Sequence, residues 1–82
     1  MATLKDISSR LRKLRSEFDL TQQQVAEFTG VSYKYYQRLE SGRGHHHIWL
    51  DTVERFARLY HLELWQLLHP DFLKYARKPR LR

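Results

Sequence analysis

The stretch from Thr21 to Gly42, TQQQVAEFTGVSYKYYQRLESG, restricts what this chain can fold into more than any other. It reads as two short helices joined by a tight turn. Thr21 suits an N-cap, and Gln24, three residues on, completes a capping-box pattern. The helix opened there turns Val25 and Ala26 inward and stops at Gly30, where a backbone with φ > 0 is cheap. Ser32 caps a second helix whose inward stripe is Tyr36 and Leu39, three apart on one face, and Ser41-Gly42 ends it. Helices are therefore expected over about 22–29 and 33–41. Two helices crossing steeply through so short a turn bring their backbones close. A small residue such as Ala26 permits that approach, whereas a larger one wedges the helices apart.

The rest of the chain supplies helices for this pair to pack on. Thr3-Leu4-Lys5-Asp6 places an N-cap and an acid at the start of a first helix, in which Ile7, Leu11, Leu14 and Phe18 recur at helical spacing. Arg10, Arg12, Lys13 and Arg15 lie between them, and for Arg12 and Lys13 the expectation is a solvated basic face. Asp19-Leu20 links this helix to the central pair. A fourth helix is expected from about Leu50 to Tyr60, with Leu50, Val53, Phe56, Ala57 and Tyr60 inward, and a short fifth one carries Leu64, Trp65, Leu67 and Leu68. Trp49, Phe56 and Trp65 are expected in the core or in a dimer contact, because aromatic side chains bury large areas. Pro70 and Asp71 suit a last helical turn through Phe72, Leu73 and Tyr75, followed by the basic tail KYARKPRLR. The expected organisation is one domain over 1–69 and a basic extension over 70–82, a short helix and then a mobile arm that touches phosphate.

Length and composition narrow the function classes. Eighty-two residues hold one core, and 41% hydrophobic residues with two Trp, four Phe and five Tyr suffice for a small all-helical globule. Without cysteine there is neither a disulfide framework nor a thiolate metal site, which fits a reducing, cytoplasmic setting. No apolar run reaches a membrane span, and the first residues lack the apolar core of a signal peptide. A net charge of +6 on so small a domain favours a polyanionic partner, with nucleic acid ahead of acidic lipid. A Gly-rich phosphate loop, a paired-carboxylate motif and a Ser/His constellation are all missing, so neither an enzyme nor a cofactor is expected.

The central pair fits a helix-turn-helix unit, whose second helix enters the DNA major groove with its N-terminal, outward residues toward base edges. With Tyr36 and Leu39 inward, Tyr33, Lys34, Gln37 and Arg38 remain for that role. Lys34 and Arg38 suit guanine O6 and N7, Gln37 suits adenine, and Tyr33 suits a thymine methyl or a phosphate. Tyr35 is a second-rank outward candidate for a phosphate contact, and Arg43, just past the helix, suits the backbone flank.

TQQQVAEFTGVSYKYYQRLESG, with Arg15 before it, Glu40-x-Gly42 within it and LDTVERFARLYHLELWQLL after it, resembles the phage repressor and Cro family, the Xre-like regulators. The resemblance extends from about Ile7 to Leu68. It implies a compact, all-α, five-helix lambda-repressor-like domain that binds double-stranded DNA as a transcriptional regulator, chiefly as a repressor. It also implies base contacts at Tyr33, Lys34 and Arg38, a phosphate clamp at Gln22 where the second helix opens, and an ion pair of Arg15 with Glu40. The chain departs from the family at Thr29, where an aliphatic residue is usual, and in a loop from Gly42 to Leu50 that is two or three residues longer than usual.

That loop holds Arg43-Gly44-His45-His46-His47. A plain solvated loop, phosphate contacts through His45 and His46, and a metal site are three readings of it. Adjacent loop histidines rarely converge on one ion without further ligands, so no metal is assigned. Leu64, Trp65, Leu68, Phe72 and Leu73 supply more apolar surface than a short fifth helix needs, and a homodimer through this C-terminal third is expected, on an inverted-repeat operator. The alternative is a protein-binding module, such as an antitoxin that masks a toxin and autoregulates through the same fold.

Overall fold

The computed structural model describes residues 4–42 and 48–80. Among them the chain forms six helices and no strand: α1 Leu4–Glu17, α2 Gln22–Thr29, α3 Tyr33–Ser41, α4 Leu50–Leu59, α5 Leu64–Leu68 and α6 Phe72–Tyr75. The short α6 lies where a last helical turn through Phe72, Leu73 and Tyr75 is expected, beyond the five helices of the domain. α3 packs against α1 and α2, α4 against α2 and α5, and α5 also against α1 and α6. The core draws on every element: Leu11 and Leu14 from α1, Val25 and Ala26 from α2, Tyr36 and Leu39 from α3, Val53, Phe56 and Ala57 from α4, Leu67 and Phe72 beyond them. The Tyr36 and Phe56 rings meet at 5.5 Å, joining α3 to α4.

Local chemistry accounts for the helix ends. Thr21 accepts from the Gln24 N–H, and the Gln24 side chain accepts from the Thr21 N–H, closing both halves of a capping box. Gly30 and Gly42 stop α2 and α3 at φ 78° and 69°, in the left-handed region where a Cβ is strained. Two other stops use no glycine. Asp19 and His61 adopt φ of 54° and 60°. The next residue in each case, Leu20 or Leu62, donates its N–H five residues back, to Arg15 and Ala57 respectively. Both leucines are buried, so an apolar anchor after the turn holds a residue that would otherwise avoid this conformation.

Thr29 is buried, and its hydroxyl donates to the Val25 carbonyl at 2.7 Å. That bond satisfies the polar atom within its own helix and lets a threonine occupy a site where an aliphatic residue is usual.

Several side chains lie elsewhere than their periodicity predicts. Leu50 shares a stripe with Val53 and Ala57, yet it is 61% exposed because α4 begins a turn before the core does. Trp49 is 70% and Trp65 55% exposed, so of the two expectations for them, core or dimer contact, the core does not hold. Phe72, expected on a dimer surface, is instead buried, with the Arg10 guanidinium 5.4 Å above its ring. The segment after α6 runs extended with Ala76 and Pro79 buried, and the Arg77 N–H donates to the Tyr60 carbonyl at 2.9 Å. The basic extension is thus tied to the end of α4 through Arg77 and is buried in part at Ala76 and Pro79, where the sequence expectation is a free arm.

Candidate nucleic-acid interface

α3 has two chemically distinct sides. Tyr36, Leu39 and Glu40 are buried, while Tyr33, Lys34, Gln37 and Arg38 are exposed. Ser32 accepts from the Tyr35 N–H at 3.1 Å and starts the helix at a defined residue, which sets the rotation of that outer face. Tyr35 is half-buried. Burial first, and the nearby negative charge of Asp51 second, push its phenol up. Asp51 sits in the first turn of α4, close enough for its charge to act on Tyr35, and the exposed Trp49 and Leu50 precede it in the chain. Arg43, His45, His46 and His47 lie outside the described residues. Among the described residues no group of three or more His, Cys, Asp or Glu side chains is placed to hold a metal ion.

Behind the exposed face lies a buried charge. The Glu40 side chain is 2% exposed and Arg15 25%. The guanidinium grips the carboxylate with two bonds, Nε to Oε2 at 2.7 Å and Nη2 to Oε1 at 3.0 Å, and its Nη1 donates to the Leu20 carbonyl at 3.1 Å. Burial by itself raises the Glu40 carboxyl. Arg15, the nearby Tyr36 hydroxyl and Gln22 outweigh burial and hold the group below its ordinary value. The Tyr36 and Tyr60 hydroxyls are themselves buried without a hydrogen bond of standard geometry, so Tyr36 acts on Glu40 through proximity rather than a well-formed bond. Burial pushes both phenols well up.

Gln22 reaches this centre as well. Its Nε2 donates to Glu40 Oε1 at 3.2 Å, bringing the first residue of α2 to the end of α3. The Gln22 and Gln23 backbone N–H groups, at the start of α2, have no acceptor among the described residues, whereas the Gln24 N–H is taken by Thr21.

The periodicity of α1 misses part of this arrangement. Arg12, expected on a solvated face, donates to the Glu40 carbonyl, and Arg10 donates to the Leu67 carbonyl at 2.9 Å. A signal exists in the residue types: the three arginines are the ones engaged, and a planar fork of donors suits carbonyls and carboxylates better than the point charge of Lys13. The Gln22–Glu40 contact has no such signal, because a glutamine at a helix start equally faces solvent.

The sequence matches the helix-turn-helix domain family over residues 6–66. No curated protein sequence matches the chain. Among solved structures the fold is similar to that of the clp gene regulator ClgR from Corynebacterium glutamicum, with a TM-score of 0.71 and 22% identity, covering 82% of this chain and 70% of that one.

Proposed function

The chain belongs to the helix-turn-helix domain family, and from that premise we propose that it is a sequence-specific, double-stranded-DNA-binding transcriptional regulator. In this reading it is a cytoplasmic repressor of the phage repressor/Cro type, acts as a homodimer and has no enzymatic activity. The observation that carries the reading is the division of α3: Tyr33, Lys34, Gln37 and Arg38 face solvent together, while the opposite stripe is committed to the core. A helix presented this way offers cationic and amide side chains to base edges. Lys34 and Arg38 address guanines, Gln37 an adenine and Tyr33 a thymine methyl. Gln22 and the unclaimed N–H groups at the start of α2 hold one phosphate, and Tyr35, Arg43, His45 and His46 approach others.

The dimer forms through Trp65, Leu68 and Leu73, which remain exposed now that Phe72 belongs to the core. A two-fold pair sets its reading helices one DNA turn apart, ~34 Å, on an inverted repeat with half-sites ~10 bp apart. The same exposed face also favours a second reading, an antitoxin-like module in which another protein covers it.

In-vitro selection of bound duplexes from a random pool tests the proposal. An inverted repeat at that spacing is expected, and no enrichment over random DNA overturns it. On the selected site, Arg43→Ala weakens specific and random duplexes alike and flattens the salt dependence by about one unit of slope. Gln22→Ala weakens both without that change of slope, since glutamine neutralises no phosphate. A second chain that co-purifies in fixed ratio and blocks DNA binding favours the antitoxin reading.

A further inference from the structure

Glu40 is a hub shared by three helices. α1 reaches its carboxylate through Arg15 and its carbonyl through Arg12, and α2 reaches it through Gln22. A carboxylate this close to a phosphate site is unexpected, because like charges repel. The two bonds from Arg15 remove that objection by neutralising Glu40 within the protein. What remains is a buried, oriented acceptor with one oxygen turned to the Gln22 amide. The Gln22 Nε2 carries two hydrogens, one of them given to Glu40, and it makes no other hydrogen bond among the described residues.

We propose that Glu40 is a positioning residue for DNA binding: by holding the Gln22 amide it orders the phosphate contact at the start of α2 and ties that contact to the C-terminal end of α3. The inference rests on the reading of Gln22 as a phosphate ligand. A free glutamine loses rotamer entropy when a ligand immobilises it, whereas one already held against a fixed carboxylate meets the phosphate in a prepared geometry. The same link has a second effect. Glu40 belongs to α3, so the place where the backbone is gripped and the placement of the base-reading helix are set by one side chain. A phosphate contact then fixes the register of α3 on the duplex rather than merely adding attraction.

The neighbouring residue is an internal control. The Gln23 side chain is exposed and makes no hydrogen bond among the described residues, while Gln22 is half-buried against Glu40. Side-chain amide relaxation in the free, full-length protein should give Gln22 an order parameter near the ~0.85 of rigid backbone and Gln23 one below ~0.6. Equal mobility of the two overturns the inference whatever the DNA results. Binding titrations on the selected duplex then complete a cycle of Gln22→Ala, Glu40→Gln and the double variant, with thermal melts confirming that each is folded at the assay temperature. Gln22→Ala should weaken binding about tenfold in the wild-type background and less than about threefold in the Glu40→Gln background. Glu40→Gln raises the net charge by one. Electrostatics alone therefore strengthens its DNA binding, whereas a lost positioning contact weakens it. If Gln22→Ala costs the same factor in both backgrounds, Glu40 does not position Gln22. If Gln22→Ala has no effect in the wild type, the phosphate reading of Gln22 fails and the inference falls with it, even where the relaxation data show an ordered amide. Should Glu40→Gln fail to fold, Gln22→Asn replaces it. One methylene shorter, asparagine cannot span both Glu40 and the phosphate, so a loss as large as that of Gln22→Ala supports the inference, and wild-type affinity overturns it.

Discussion

The two ends of this molecule solve opposite problems. At the α2–α3 end a carboxylate is inside and the exposed face is polar and basic: Glu40 is buried against the half-buried Arg15, while Lys34, Gln37 and Arg38 stand outside. At the α5–α6 end the arrangement inverts. There the rings of Trp65, His69 and Tyr75 meet edge to face at 5.6–6.3 Å, and Trp65, Leu68 and Leu73 are left exposed. A buried ion pair with two specific bonds defines an angle between helices, because sliding either helix breaks both bonds. Aromatic contacts tolerate sliding, and an exposed apolar face gains energy only when something covers it. The first end is therefore suited to holding a reading surface at a set angle, and the second to meeting a partner.

The largest expected effect comes from opening the enclosed pair. Arg15→Ala leaves a carboxylate that is 2% exposed without its cation and should cost about 3 kcal/mol in urea melts. A loss below about 0.5 kcal/mol would make the pair equivalent to a surface contact and erase the contrast between the two ends. Acid probes the same group. The folded state holds Glu40 below its ordinary value of 4.5, so its contribution is complete above that pH and is lost as the pH falls through the lower folded value. Stability measured from pH 6 to 3 should show a step below about 4.5 that is absent in Glu40→Gln.

Next in size is Arg38→Ala, which should cost about 1–3 kcal/mol on the best duplex and little on random DNA. Equal losses on both would make Arg38 a phosphate ligand, and the outer face of α3 would no longer be a reader. At the other end, Trp65→Ala should weaken self-association by about 2 kcal/mol in sedimentation while changing monomer stability by less than about 1 kcal/mol. A large stability loss with unchanged association would turn the aromatic cluster into core and leave the second face without a role. The smallest effect concerns the tail. Truncation after Tyr75 removes the Arg77 bond to Tyr60 and the burial of Ala76 and Pro79, and should cost about 1 kcal/mol without altering the preferred DNA sequence. A changed preference would mean that the tail reaches the duplex.

Features set by near neighbours in the chain were legible in the sequence. Thr21 with Gln24, Ser32, and the glycines at 30 and 42 delimit α2 and α3, because capping and positive φ are decided within a few residues. The division of α3 into a Tyr36/Leu39 side and a Lys34/Arg38 side likewise follows from the 3.6-residue period. The stops at Asp19 and His61 were not legible, since they depend on burying Leu20 and Leu62 rather than on glycine. Nor was the fate of the aromatic residues. Periodicity says which way a side chain points on its own helix but not where the core ends, so Trp65 and Phe72, both expected on one dimer surface, part company, the first exposed and the second enclosed. The meeting of Gln22 with Glu40, and of Arg10 with the Leu67 carbonyl, joins residues 18 and 57 positions apart. Such contacts are decided by the angles at which helices cross, and those angles emerge only when the helices compete for one small core.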